Sequence, residues 1–252
     1  MSITSEAEWD GMRAVGEVVR LTLEALERAT EPGITTAALD GLAAEIFAQH
    51  HARSAPALVY GFPRTVLISV NDEVVHGIPG ARRLRRGDIV KLDVTVEKDG
   101  YMADAARTVV LPGAPARAYR LRDAARAAFL EALEVARPGR PVREVGRAIE
   151  REVRRRGFAV VAELSGHGIG RTIHEAPTVP NFHDVAQNDV LSEGLVVAIE
   201  PIICDGSGSV VTGRDGWTIR TRDGSAAAHY ENTVVITSDG PTLLTAASVA
   251  RD

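Results

Sequence analysis

Four carboxylates and one imidazole are the residues of this chain whose types and settings most invite chemistry. Asp93 and Asp104 lie in DVTVEKDGYMAD, where Asp99-Gly100 separates two β-rich segments, IVKLDVTVE and YMADAARTVVL. An Asp-Gly pair between alternating segments predicts a tight hairpin, because both turn residues tolerate positive φ. That turn pairs Lys98 with Tyr101 and Thr95 with Asp104, so Asp93 becomes the diagonal neighbour of Asp104 on one face. Val90, Leu92, Val94 and Val96 take the opposite, apolar face. Two carboxylates leaning together in a hydrophobic hairpin repel each other, and burying them unpaired is costly. One holds a proton or a cation sits between them; the alternative is an outer face simply solvated.

Glu200 ends the apolar run LVVAIE directly before Pro201, and Glu231 opens another in HYENTVVI. Neither position suits a lone carboxylate in a buried strand, although a strand end reaching water is the ordinary alternative. SGHGIGRTIHEAPTVP carries His167 and His174 among Gly166, Gly168 and Gly170. A dinucleotide fingerprint needs a helix to open at once, and Pro177 and Pro180 oppose one. A glycine-dense loop instead lets backbone approach a site into which the two histidines project. Asp93, Asp104, Glu200, Glu231 and His167 together are too oxygen-rich and anionic for a structural zinc site. They suit two divalent metals sharing carboxylates, with manganese, iron(II) or cobalt favoured and zinc admitted.

The elements that must carry these residues follow from periodicity. Ser5 and Glu8 have capping-box spacing, and Trp9, Met12, Val15, Val19, Leu23 and Leu26 recur at helical intervals, predicting a helix over 5–29. After Glu31-Pro32-Gly33, a second helix from about Thr35 puts Leu39, Leu42, Ala43, Ile46 and Phe47 on one stripe. A loop with Pro56, Gly61 and Pro63 leads to a strand over 65–70, a turn or loop over 71–80 containing His76, and a basic connector into the hairpin. Further helices over 115–137 and 141–156 are split by Pro138-Gly139, and strands are expected over 158–163, 195–204, 217–222 and 228–237. Helix, Pro-Gly, helix, strands thus occurs twice, predicting two related halves, roughly 1–113 and 114–252, with a site between them. The class is α+β, with mostly antiparallel strands backed by helices in one compact unit.

Composition sets the outer bounds. At 252 residues, with 45% hydrophobic and 25% charged residues, the chain can bury a large core and reads as an ordinary soluble protein. A net charge of −5 argues against a dedicated nucleic-acid binder. The arginine clusters at 82–86 and 154–156 read as solvated faces, with a weak contact to ribosomal RNA as the alternative. The single cysteine, Cys204, excludes an internal disulfide and a cysteine-built zinc finger, and reads as a small buried apolar residue. MSITSEAEWDGM is not a secretory signal, and no apolar run approaches the roughly 20 residues of a membrane span, so a cytoplasmic protein is expected.

Five segments in order, NDEVVHGIPG, DVTVEKDGYMAD, SGHGIGRTIHEAP, VVAIEP and GWTIRTRDGSAAAHYENT, closely resemble the motifs of type I methionine aminopeptidases and cover most of 60–237. A single motif is weak, whereas five in order are highly specific. The resemblance implies the pita-bread α+β fold of that metallopeptidase superfamily, as a single catalytic domain over 1–252 without a long N-terminal zinc-finger or linker extension. It implies removal of the initiator methionine from nascent polypeptides, with a preference for a small second residue. It implies two divalent ions per chain, cobalt, manganese, iron or zinc, with Asp93 on one, Asp104 and Glu231 bridging both, and His167 and Glu200 on the other. His76 and His174 match histidines that contact substrate without binding metal, and Glu200 also matches the residue that shuttles a proton to the leaving amine. Tyr60, Phe62, Leu67, Ile173 and Trp217 match walls of the methionine pocket, each with core packing as its alternative role. The implied partners are the N-termini of nascent chains, with transient ribosome contact, no membrane and no specific nucleic acid, and the implied state is a cytoplasmic monomer.

The chain departs from that pattern at four places. Asn232 follows Glu231 where the family usually has histidine, Ala176 replaces a frequent glutamate, and Leu67 and Ile173 stand where cysteine and phenylalanine are common. None removes an expected ligand. Two other functions compete: an aminopeptidase P or prolidase-like X-Pro peptidase, and a non-catalytic pita-bread binding protein. The GWTIRTRDGS segment and compact N-terminus disfavour the first, and the five filled ligand positions disfavour the second.

Overall fold

Helix α1 (Glu6–Ala29) starts where its cap dictates, with the Ser5 hydroxyl accepting the Glu8 N–H at 3.3 Å. The reciprocal half of the expected capping box does not form: Glu8 accepts from the backbone and hydroxyl of Thr4 instead, at 2.8 and 3.0 Å. Met12, Val15, Val19, Leu23 and Leu26 are buried as the periodicity predicts, and Trp9 is partly buried. Helix α2 (Thr36–Gln49), capped by Thr35, buries Leu39, Ala43 and Phe47, with Leu42 and Ile46 only partly covered. Both helices share one core with the apolar face of the hairpin Ile89–Lys98/Tyr101–Val110, where Val90, Leu92, Val94 and Val96 are fully buried. The hairpin register is the expected one: Lys98 faces Tyr101, Thr95 faces Asp104 and Asp93 faces Ala106. Asp99 and Gly100 adopt φ of 52° and 82°, the paired positive values of a two-residue hairpin turn.

The computed structural model describes residues 1–246, so 247–252 of the expected domain lie outside the described residues. In the second half, helices α4 (Ala116–Val135) and α5 (Val142–Arg155) share a second core with a five-stranded sheet; helix α3 (Ala55–Tyr60) belongs to the first half. That sheet runs Gly240–Leu243, Asn232–Thr237, Val196–Ile199, Ser165–Gly168, Glu175–Pro180. The hairpin lies in a four-stranded sheet with Arg53–Ser54 and Leu67–Val70, two three-stranded sheets complete the set, and every strand pair described is antiparallel. In one of them Glu73–Val75 of the first half pairs with Ile219–Thr221 of the second, which closes the two halves around a cleft. Among the described residues, no helix is long and apolar enough to cross a membrane.

Several expected boundaries change, each for a physical reason. The loop around Pro56 is helix α3, capped by Ser54 and ended by Gly61 at φ 72°; Pro56 sits in the first turn, where a missing N–H costs nothing. The strands expected over 195–204 and 228–237 each break, at Glu200-Pro201 and at Tyr230-Glu231. Pro201 lacks the N–H to continue a ladder, and both breaks deliver a glutamate to the cleft. Residues 169–174 of the expected glycine-dense loop, His174 among them, remain a loop, and the rest is instead the strand pair Ser165–Gly168/Glu175–Pro180. Its prolines are tolerated because the second strand lies at the sheet edge, and Gly166 and Gly168 are required because a Cβ would strike the carbonyls of Ala198 and Ala176. Strands over 158–163 and 217–222 shorten to Ala159–Val160 and Ile219–Thr221. Arg82, read as part of a solvated face, bonds Glu73 at 3.0 Å, and Arg220 bonds the same carboxylate at 2.7 Å.

Candidate metal centre

The cleft between the halves collects the residues singled out by their chemistry. Asp93, Asp104, His167, Glu200 and Glu231 all line one cavity, together with His76, His174, Tyr60, Phe62, Leu67, Ile173 and Trp217. Asp104, His167 and Glu231 each offer a donor atom within 4.8 Å of the other two, and so do Glu200, His229 and Glu231. Two parts of the chain position them. Asp104 comes from the hairpin, and its backbone is fixed by Thr233: the Asp104 N–H donates to the Thr233 hydroxyl at 2.9 Å, which donates to the Asp104 carbonyl at 2.8 Å. Glu231 is joined to Ala106 of the same hairpin by a backbone bond of 3.0 Å.

The electrostatics identify what these groups lack. Burial and the neighbouring Asp104 charge hold Asp93 well above the usual carboxylate range, while burial raises Asp104 to about 6 despite the 2.8 Å bond from Thr95. Burial, then the charges of Asp104 and Asp93, raise Glu200, and burial with Asp104, Glu200 and Asp93 raises Glu231. Oδ1 of Asp104 and Oε1 of Glu231 are buried with no hydrogen-bond partner among the described residues. Such atoms are ordinarily paired. Divalent cations answer both the orphaned oxygens and the mutual repulsion, so the residues present fit a metal site.

The histidines are prepared as neutral groups. Burial lowers His167 to about 4, and its Nδ1 lies 2.9 Å from the Gly168 carbonyl, which can only accept. The proton is therefore on Nδ1, and the Nε2 lone pair faces Oε1 of Glu200 at 3.4 Å. His76, at φ 60°, is lowered to about 4 by burial and by His174. His174 stands at the more exposed mouth, lowered by the same cause, with its ring centroid 4.2 Å from that of His167 and its Nδ1 bonded to the Tyr60 hydroxyl. Phe62 and Trp217 meet edge to face at 5.2 Å and, with Leu67 and Ile173, form an apolar wall beside the charged end.

Among the cavity residues that escaped sequence reasoning are Thr95, which bonds Asp104, and His229. His229 is 2% exposed, with Nε2 lying 3.3 Å from Glu231 and 3.7 Å from Glu200. Burial lowers it to about 3, so it too is neutral. The signal was present as His-Tyr-Glu at 229–231, since residues two apart in an extended chain share a face. Of the four departures, Leu67 and Ile173 line the cavity and Ala176 is exposed. Asn232 accepts from Arg107 at 2.8 Å and from Thr245 at 3.1 Å.

Known proteins resemble this chain over nearly its whole length. "Methionine aminopeptidase 2" of Bacillus subtilis is 40% identical over 97% of this chain and 99% of its own length. The crystal structure of methionine aminopeptidase from Thermotoga maritima matches at a TM-score of 0.94 and 34% identity, covering 98% of this chain and 100% of that one. Prolidase from Pyrococcus furiosus, at 21% identity, shares the pita-bread fold at a TM-score of 0.78, with 98% of this chain covering 66% of it. The model of metallopeptidase family M24 matches residues 10–238. A match over that span, around the cluster of buried carboxylates described above, shows that the chain belongs to metallopeptidase family M24.

Proposed function

We propose that this chain is a methionine aminopeptidase that removes the initiator methionine from nascent polypeptides whose second residue is small. The observation that carries the proposal is the cavity itself, in which a cluster of buried, uncompensated carboxylates adjoins an apolar wall. Asp93 would hold one divalent ion, Asp104 and Glu231 both, and His167 and Glu200 the second. Cobalt, manganese, iron and zinc all suit the donor set. Such ions supply Lewis acidity towards the scissile carbonyl and lower the pKa of the attacking water.

The chain's own residues supply the rest. Glu200, lining the cavity beside His167, would take a proton from water and deliver it to the leaving amine. Tyr60, donating to Nδ1 of His174, leaves Nε2–H free to bond the carbonyl oxygen as negative charge develops there. Neutral His76 holds the scissile peptide from the first half's loop. Tyr60, Phe62, Leu67, Ile173 and Trp217 enclose the methionine side chain, whose flexible, polarizable thioether suits aromatic and branched walls. The protein acts as a single catalytic domain, a cytoplasmic monomer meeting nascent N-termini, with transient contact to the ribosome.

A paired peptide assay tests this reading. Metal-loaded protein should release methionine from Met-Ala- and Met-Gly-initiated peptides and leave their N-acetylated forms intact. Turnover of X-Pro peptides with none of the Met-Ala peptide would establish the competing peptidase instead.

A further inference from the structure

His229 has a firmly held backbone and an unused ring. Its N–H donates to the Thr108 hydroxyl at 2.9 Å, and that hydroxyl donates to the His229 carbonyl at 2.8 Å, clamping the residue to the hairpin. Yet neither ring nitrogen has a hydrogen-bond partner among the described residues, and the side chain is 2% exposed. A buried imidazole kept for structure normally donates from one nitrogen, as His167 does to Gly168. Here Nε2 instead faces one oxygen from each of two glutamates, at 3.3 Å from Glu231 and 3.7 Å from Glu200.

Those separations are the spacing of donors around one ion. Nitrogen and oxygen ligands at ordinary metal distances and tetrahedral angles stand roughly 3.4 Å apart. His167 stands 3.4 Å from the other oxygen of Glu200, so the Glu200 carboxylate has an imidazole facing each of its oxygens. We propose that His229 is a further imidazole ligand of the metal centre, binding through Nε2 beside Glu200 and Glu231. The inference rests on reading the carboxylate cluster as a metal centre and adds a second nitrogen donor to it. A second imidazole narrows the suited ions away from manganese, which prefers oxygen donors, and towards iron, cobalt or zinc.

The test is a cobalt(II) titration of the metal-free full chain and of His229→Gln, followed by visible absorption and proton NMR. At saturating cobalt the unmodified protein should show two exchangeable, paramagnetically shifted imidazole N–H resonances, one each from His167 and His229. His229→Gln should show one, with its cobalt dissociation constant raised at least about tenfold. A single shifted resonance in the unmodified protein overturns the inference without recourse to any variant. So does a variant that binds cobalt with unchanged affinity and spectrum. Failure of the unmodified protein to bind cobalt at all would instead remove the metal-centre reading on which this one stands.

Discussion

Within one cleft, His167 and His174 stand ring against ring yet have opposite attachments. His167 is 8% exposed and fixed by a backbone carbonyl, so its lone pair points at carboxylates. His174 is exposed and held by a phenol from helix α3, so its free nitrogen is available to a substrate. The difference predicts a split phenotype. His174→Ala should keep its metal content, measured by elemental analysis, while kcat on a Met-Ala peptide falls by about 10²–10³-fold, the usual consequence of losing one donor to a developing oxyanion. Loss of metal in that variant would make His174 a structural or ligating residue. The residue types were the most legible part of this site. All five proposed ligands and all five proposed wall residues line one cavity; the carboxylates were legible because a charged residue inside an apolar run is informative by itself, whereas the wall residues were placed only by resemblance to a family. His229 was less legible, because a lone histidine is more often a structural hydrogen-bonding group and its approach to Glu200 depends on the long-range pairing of His229 with Ile202.

At the scale of elements, the hairpin was readable to the residue, since its turn chemistry fixes the register of both strands. The partner that holds the hairpin in place was not. Thr233 lies 129 positions from Asp104 in the chain, and no local pattern announces that its hydroxyl satisfies both backbone groups of that aspartate. The contact also ties the first half to the sheet of the second at the centre of the site. Thr233→Val keeps the shape and removes the hydroxyl, leaving a buried N–H and carbonyl of Asp104 unpaired. The expected cost is roughly 3 kcal/mol in urea unfolding, with a weaker affinity for metal, and Thr233→Ser should recover most of both. Full stability and full metal affinity in the valine variant would show that the two halves position Asp104 without this bond.

Over the whole molecule, one buried charge stands where the parts converge. Lys91 is 1% exposed and donates from Nζ to the Asn71 carbonyl at 2.8 Å. Asn71 also accepts from Ala227 of the second half and from Ile89 of the hairpin, so the ammonium group sits at a junction of three segments. Burial lowers Lys91 to about 7, opposed by Glu73, Asp72 and Asp88. The native state therefore holds this proton less tightly than the unfolded chain, whose lysine titrates near 10.5. With the folded value depressed, stability rises with pH across the window from about 7 to 10.5 and is lost as pH falls back through it. From this group alone, the unfolding free energy should increase by about 2 kcal/mol between pH 7 and pH 9. Lys91→Met fills the same volume without a charge, so the difference between the two metal-free proteins should shrink by that amount over the same range. Subtracting one urea series from the other cancels the titration of the carboxylates and histidines common to both, which isolates the lysine. Parallel curves would mean that Lys91 keeps an ordinary pKa in its buried place, with the surrounding acids offsetting its burial in full.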